Sequence, residues 1–295
     1  MTDEPKPSLS AAAESYLATL EGKNRSPKTL VAYRTDLRQF LDWLDASNVA
    51  IHRPGDVARR DIELYLSSLG QRGLTGVSRA RKLAPIRGFF GYCEAEGWAT
   101  HSPAEHVETP KKEKHGRAWF RPDEYPRILA AAQGNVRDYC ILSVLLQTGI
   151  RVAELCALTL EDIDLKGRTL HVRHGKGMKA RDIALDQKVT KALSNWTKLR
   201  GERKHEILFP NERDGGPIGE RGVRLMVTKY REAAGITKKA SCHAFRHTCL
   251  TMWATNGMSP YLIKEMAGHA SLEMTMSDIH TQEMDKHKAV EAAKP

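Results

Sequence analysis

Between Gly97 and Arg117 the helical periodicity of this chain breaks off, and the break divides its 295 residues into two parts that must each bury a core. Pro103, Pro110 and the run KKEKHGR mark a polar connection. One domain is expected at 1–105, a linker at 106–117, a second domain at 118–282 and a tail at 283–295. Ahead of the break, Ser26-Pro27 carries the chemistry of a helix start. Leu30, Tyr33, Leu37, Phe40, Leu41 and Leu44 follow mostly at spacings of three and four, one apolar stripe. Further helical patterns cover 10–20, 59–69 and 76–96. Four short helices make a small bundle.

After the break, Arg121-Pro122-Asp123-Glu124 opens a run of apolar helices that reaches about Leu158. Leu170 and Val172, the turn HGKGMKAR, then Ile183 and Leu185 read as a β-hairpin punctuated by Gly175 and Gly177. From about Lys188 the pattern is helical again. The fold class expected is mainly α, with a helical first domain and an α+β second domain that carries a small sheet or hairpin.

The formal net charge is +10. Residues 1–110 hold 14 basic and 14 acidic residues, so the whole surplus lies in the second part. A surplus confined to one domain suggests a bound polyanion, against the plainer reading of a basic soluble surface. The first domain is neutral overall, yet Arg72, Arg79, Arg81, Lys82 and Arg87 cluster on and before its last helix. No acidic residue occurs from Leu64 to Cys93. A solvated face is the usual meaning of such a run, and phosphate contact is the alternative it favours here.

The N-terminal MTDEPKPSLS lacks the apolar core of a signal peptide, and no apolar run approaches the roughly 18 residues that span a bilayer. Five cysteines without a C-x-x-C spacing suggest neither disulfides nor a zinc site. A cytoplasmic protein without membrane contact, metal or cofactor is expected.

Breaking a DNA phosphodiester without metal needs cations for the non-bridging oxygens, a proton donor for the leaving 5′ oxygen, and an in-line nucleophile. Arginine suits the first task because its planar fork stays charged and binds phosphate bidentately. Arg151, in QTGIRVAEL, falls in the first turn of a helix, where a cation opposes the dipole; a local pair with Glu154 is the structural alternative. In SCHAFRHT, His243 and Arg246 share one helix face and can converge on an anion, while Phe245 and Leu250 face the core. His243 and His247 have the i, i+4 spacing of a zinc pair, but the Glu of H-E-x-x-H is missing. Lys176 sits at the hairpin tip, with Arg173, Lys179 and Arg181 beside it and no acidic residue from Lys166 to Arg181. Turns also collect lysine for no reason beyond solvation.

The order TGIR, GKG hairpin, HAFRHT, MAGHAS closely resembles the tyrosine site-specific recombinases of the phage-integrase family, Xer-like above all, over about residues 10–282. The resemblance implies that Arg151, Lys176, His243, Arg246 and His269 assemble around one scissile phosphate, with Lys176 as general acid. Ala267-Gly268 stands where the family has Leu-Gly. It also implies a SAM-like N-terminal core-binding domain and a C-shaped clamp on double-stranded DNA. Inverted-repeat sites, a dimer on one site, a tetrameric synapse and a tail that docks on a neighbouring protomer belong to the same expectation, with a frayed tail as the alternative to docking.

In that family a tyrosine stands nine residues beyond the last histidine. Here the count from His269 reaches Asp278, and no tyrosine follows Tyr261. A phenolate forms a reversible phosphotyrosyl ester that keeps the bond energy for religation. Aspartate is too short to reach the same point, and its charge repels phosphate. Without DNA it is expected to pair with Arg151 or Arg246. Ser277 points about 100° away on the helix. The chain is therefore expected to be deficient in cleavage, whether by deliberate substitution in an active recombinase or by natural loss. The alternatives are a non-catalytic DNA-binding factor that regulates a partner recombinase and, opposed by the Xer-like first domain, a relaxing topoisomerase.

Overall fold

The computed structural model describes residues 6–47, 51–111, 118–173, 180–201, 206–211 and 213–279. The chain divides into two compact units, Met1–His115 and Gly116–Pro295.

The first unit is a bundle of four helices, α1 (Leu9–Gly22), α2 (Pro27–Ser47), α3 (Arg59–Gln71) and α4 (Gly76–Ala95). At the starts of α1, α2 and α4 a side chain satisfies one orphan N–H group. Ser8 accepts from the Ala11 N–H, Ser26 from that of Thr29, and Thr75 from that of Ser78. The α2 stripe buries Leu37, Phe40 and Leu44, while Leu30, Tyr33 and Leu41 pack partly buried against the same core. Phe40 meets Tyr65 edge-on at 5.1 Å between centroids. Packing continues past α4 to Ala99, Ala104 and Val107, all buried. Arg87 holds that segment by bonding the Val107 carbonyl and, at 3.0 Å, the Thr109 hydroxyl. The core thus reaches beyond residue 106, where the sequence suggested that the linker begins. Residues 112–117 of that linker lie outside the described residues.

In the second unit come α5 (Tyr125–Ala132), α6 (Val136–Thr148), α7 (Val152–Ala157), β1 (Ile163–Asp164), β2 (Thr169–Val172) and β3 (Arg181–Ala184). They are followed by α8 (Gln187–Arg200), α9 (Glu220–Ala233), α10 (Cys242–Thr255), α11 (Pro260–Ala267) and α12 (Leu272–Asp278). Helix α6 is the hub: Cys140, Ile141, Leu142, Val144 and Leu145 are buried, and α8 and α10 pack against it. The sheet is antiparallel in the order β1-β2-β3. Leu170 opposes Ile183 and Val172 opposes Arg181. The expected hairpin strands are present; β1, two residues long, offers no alternation to read. The fold class matches the expectation. Among the described residues, no helix is long and apolar enough to cross a membrane.

Candidate active site

Arg151, Arg181 and Arg246 converge on the C-terminal end of α11. Helix α6 ends at Gly149, left-handed at φ 60°, where a Cβ would lie 3.2 Å from the Cys249 sulfur. The chain then extends through Arg151, the residue that precedes α7. The Arg151 N–H donates to Glu154 at 2.8 Å, and its Nη1 reaches the other Glu154 oxygen at 3.1 Å. The local pair with Glu154 exists, and the Arg151 side chain remains one-third exposed.

At the end of α11, the carbonyls of Met266, Ala267 and Gly268 receive Arg181 Nε at 2.8 Å, Arg246 Nη2 at 2.7 Å and Arg151 Nη2 at 3.3 Å. A helix C-terminus suits three guanidiniums, because its last carbonyls lack helical partners and carry the negative pole of the dipole. Arg246 also donates to the Gly149 carbonyl at 2.6 Å. Gly268 is left-handed at φ 64°, and a Cβ would press within 3.0 Å of the Arg181 guanidinium. The left-handed backbone thus favours glycine at 268, and the close guanidinium adds to the preference.

Glu154 answers these charges. Its two oxygens take Arg181 at 3.1 and 2.8 Å. Burial would raise its carboxyl, but hydrogen bonds from Arg181 and the Arg151 N–H, with both positive charges, bring it below the ordinary value. Burial, then repulsion from Arg151, lowers Arg246 to about 10.

His269 follows the α11 end. Its Nε2 lies 2.7 Å from Arg246 Nη2, and its Nδ1 2.9 Å from the Thr275 hydroxyl. Arginine only donates, so Nε2 accepts and Nδ1 carries the ring proton. Burial first, then Arg246, Arg151, Arg181 and His243, depress the ring to about 4, and it stays neutral at pH 7. Asp278 is buried, with Oδ2 3.3 Å from the same His269 Nε2. Its carbonyl accepts from His247 Nδ1 at 2.8 Å. Arg246 and Asp278 thus approach the same nitrogen of His269. Ser277 is exposed and donates to the Met274 carbonyl.

His243 is exposed on α10, with its ring edge-on to His247 at 4.6 Å. Both line a cavity of about 410 Å³ whose walls include Arg224, Arg231 and Lys239.

The residues expected to touch DNA divide. Arg72 is exposed, Arg79 is intermediate, and Arg81 is half exposed while bonding Asp36. Lys82 departs from the expectation: it is buried, 2.7 Å from Asp36, and it donates to Gln39. It serves the interior of the bundle rather than an outer phosphate. Arg181 departs likewise, since β3 turns it to the buried face beneath α11. Arg87 is spent on Val107 and Thr109, and Arg173 on Glu161 and Asp162. Lys176 and Lys179 lie outside the described residues. The sequence reading missed Glu154 as the shared anchor of two arginines and Thr275 as the group that orients His269.

Residues 118–285 match the model of the phage integrase family, and 13–97 match the phage integrase N-terminal SAM-like domain. A tyrosine recombinase of Pseudothermotoga lettingae is 31% identical, covering 90% of this chain and 91% of its own. The tyrosine recombinase XerC of Thermodesulfovibrio yellowstonii is 34% identical, covering 88% and 87%. The fold is similar to that of a lambda integrase tetramer bound to a Holliday junction (TM-score 0.80, 20% identity, 94% of this chain and 78% of that one).

Proposed function

The chain belongs to the phage integrase family of tyrosine recombinases, and from that premise we propose that it is a site-specific DNA recombinase whose own strand cleavage is disabled at Asp278. The observation that carries the proposal is that Asp278 reaches His269, which Arg246 bonds beside the α11 carbonyls that Arg151 and Arg181 also bond. Arg151, Arg246 and His269 form the surroundings that a scissile phosphate needs, and a side chain from position 278 reaches into them. Arg151, the more exposed arginine, meets the phosphate first, and Arg246 neutralises charge from below. Neutral His269 gives up the Arg246 contact, shifts its proton to Nε2 as the Thr275 hydroxyl turns to donate to Nδ1, and donates to the phosphate, while Lys176 protonates the leaving 5′ oxygen.

The nucleophile fails for two reasons. The aspartate is shorter than tyrosine by the length of a ring, and its attack would give an acyl phosphate, which water opens, rather than a phosphotyrosyl ester that religates. Its charge also fills part of the anion site. DNA binding itself rests on the basic second unit and on Arg72, Arg79 and Arg81 of the first. Protomers pair on inverted repeats and assemble into a tetrameric synapse.

Nicked suicide substrates test this, comparing the chain with its Asp278→Tyr form on denaturing gels. A covalent protein–DNA band from the tyrosine form alone is the expected result. If both forms retard DNA on native gels and neither yields the band, the chain is a DNA-binding factor without a latent active site.

A further inference from the structure

We propose that His243, His247 and Asp278 form a binding site for a divalent transition-metal ion of the zinc class. One ligand atom from each of the three side chains lies within 4.8 Å of the others. Tetrahedral zinc, with bonds of about 2.0–2.1 Å, sets its ligand atoms about 3.4 Å apart. Side-chain rotation closes that difference, and exposed His243 has room to rotate.

The arrangement also has the supporting chemistry of a metal centre. His247 donates Nδ1–H to the Asp278 carbonyl. A carbonyl only accepts, so the ring is protonated at Nδ1 and its Nε2 carries the lone pair. Metal-binding histidines are held and oriented in the same manner. The i, i+4 spacing on α10 puts both imidazoles on one face, and the end of α12 adds the third ligand. Both histidines line the 410 Å³ cavity, which supplies an entry path and room for water at the fourth position.

Two imidazoles and one carboxylate suit zinc, cobalt or nickel better than the hard cations magnesium and calcium, which prefer oxygen. Arg224, Arg231 and Lys239 of the cavity wall, and Arg246 beside His269, oppose a dication, so the charge of Asp278 is indispensable. A carboxylate has two oxygens, and its contact with His269 is compatible with ligation. The ion would fasten the end of α12 to α10.

Cobalt(II) and zinc titrations of the metal-stripped full-length chain test the site. One equivalent of cobalt should give the intense visible bands of a tetrahedral ion without a thiolate charge-transfer band, and zinc should displace it. Because disturbing an outer-shell group alone commonly costs 10–100-fold in affinity, Asp278→Asn and His243→Ala should each weaken binding at least about tenfold. His243 is exposed, so its variant tests the ligand set without emptying the core; far-UV circular dichroism checks both folds. Failure to bind either metal at tens of micromolar, binding that both variants retain, or a thiolate band would each overturn the proposal.

Discussion

Asp278 brings a carboxylate oxygen to 3.3 Å from His269 Nε2, the same atom that accepts Arg246 at 2.7 Å. On the proposed function, that carboxylate stands where a DNA phosphate would meet the arginine–histidine pair. Asp278→Asn keeps the shape and removes the charge. Two unit charges about 5 Å apart at an effective dielectric of 20 repel by about 3 kcal/mol, and salt and exposure reduce this. Specific DNA affinity should rise about tenfold, or about 1.4 kcal/mol. Fluorescence anisotropy at fixed salt measures it, and an unchanged affinity would place the phosphate away from residue 278.

Glu154 is the counter-charge of the arginines at the α11 end, binding Arg181 through both oxygens and Arg151 through backbone and side chain. Removing one partner of a buried ion pair leaves the other uncompensated, at a cost of about 3–5 kcal/mol. Glu154→Ala should lower unfolding stability by about that amount in urea, measured on the second unit's transition. A loss below about 1 kcal/mol would mean that the α11 carbonyls alone satisfy the arginines.

Much of this was legible locally. The stripe of α2, the glycine that ends α6 and the ordered motifs around Arg151, Arg246 and His269 all rest on spacings of a few residues. Arg181 shows where a legible signal was read too coarsely. It shares the two-residue period of Ile183 and so faces inward, yet it sits in a charge run that reads as a DNA-facing stretch. Lys82 is similar, because it stands four residues before buried Ile86 on the apolar side of α4. Other features had no local signature. Asp36 meets Lys82 from 46 positions away, and the α11 carbonyls that receive three arginines are backbone groups that no side-chain pattern marks.

The titration of His269 gives the fold an acid limit. In the unfolded chain the ring takes its proton near 6.5, and in the folded chain near 4. Between those values the unfolded state binds more protons, so stability rises with pH. The contribution is complete above about pH 6.5 and is lost as pH falls towards 4, by up to about 3 kcal/mol. Urea unfolding at pH 7, 5.5 and 4.5 should show the decline, and His269→Gln should flatten it. An equal slope in both proteins would assign it to other groups.

In the first unit, Asp36 joins two cations with opposite duties. Lys82 is buried beside it, whereas the Arg81 side chain is 55% exposed. Asp36→Ala strands the buried ammonium and should destabilise the bundle by about 3 kcal/mol. Arg81→Ala leaves the buried pair in place and removes an ion pair with one exposed partner, so its thermal midpoint should change little. The same change deletes a candidate phosphate contact. DNA affinity should then fall severalfold, with a shallower dependence on salt by about one ion. Measuring both quantities on both variants separates the roles. If Arg81→Ala costs stability and leaves the salt slope unchanged, Arg81 belongs with Lys82 to the interior network.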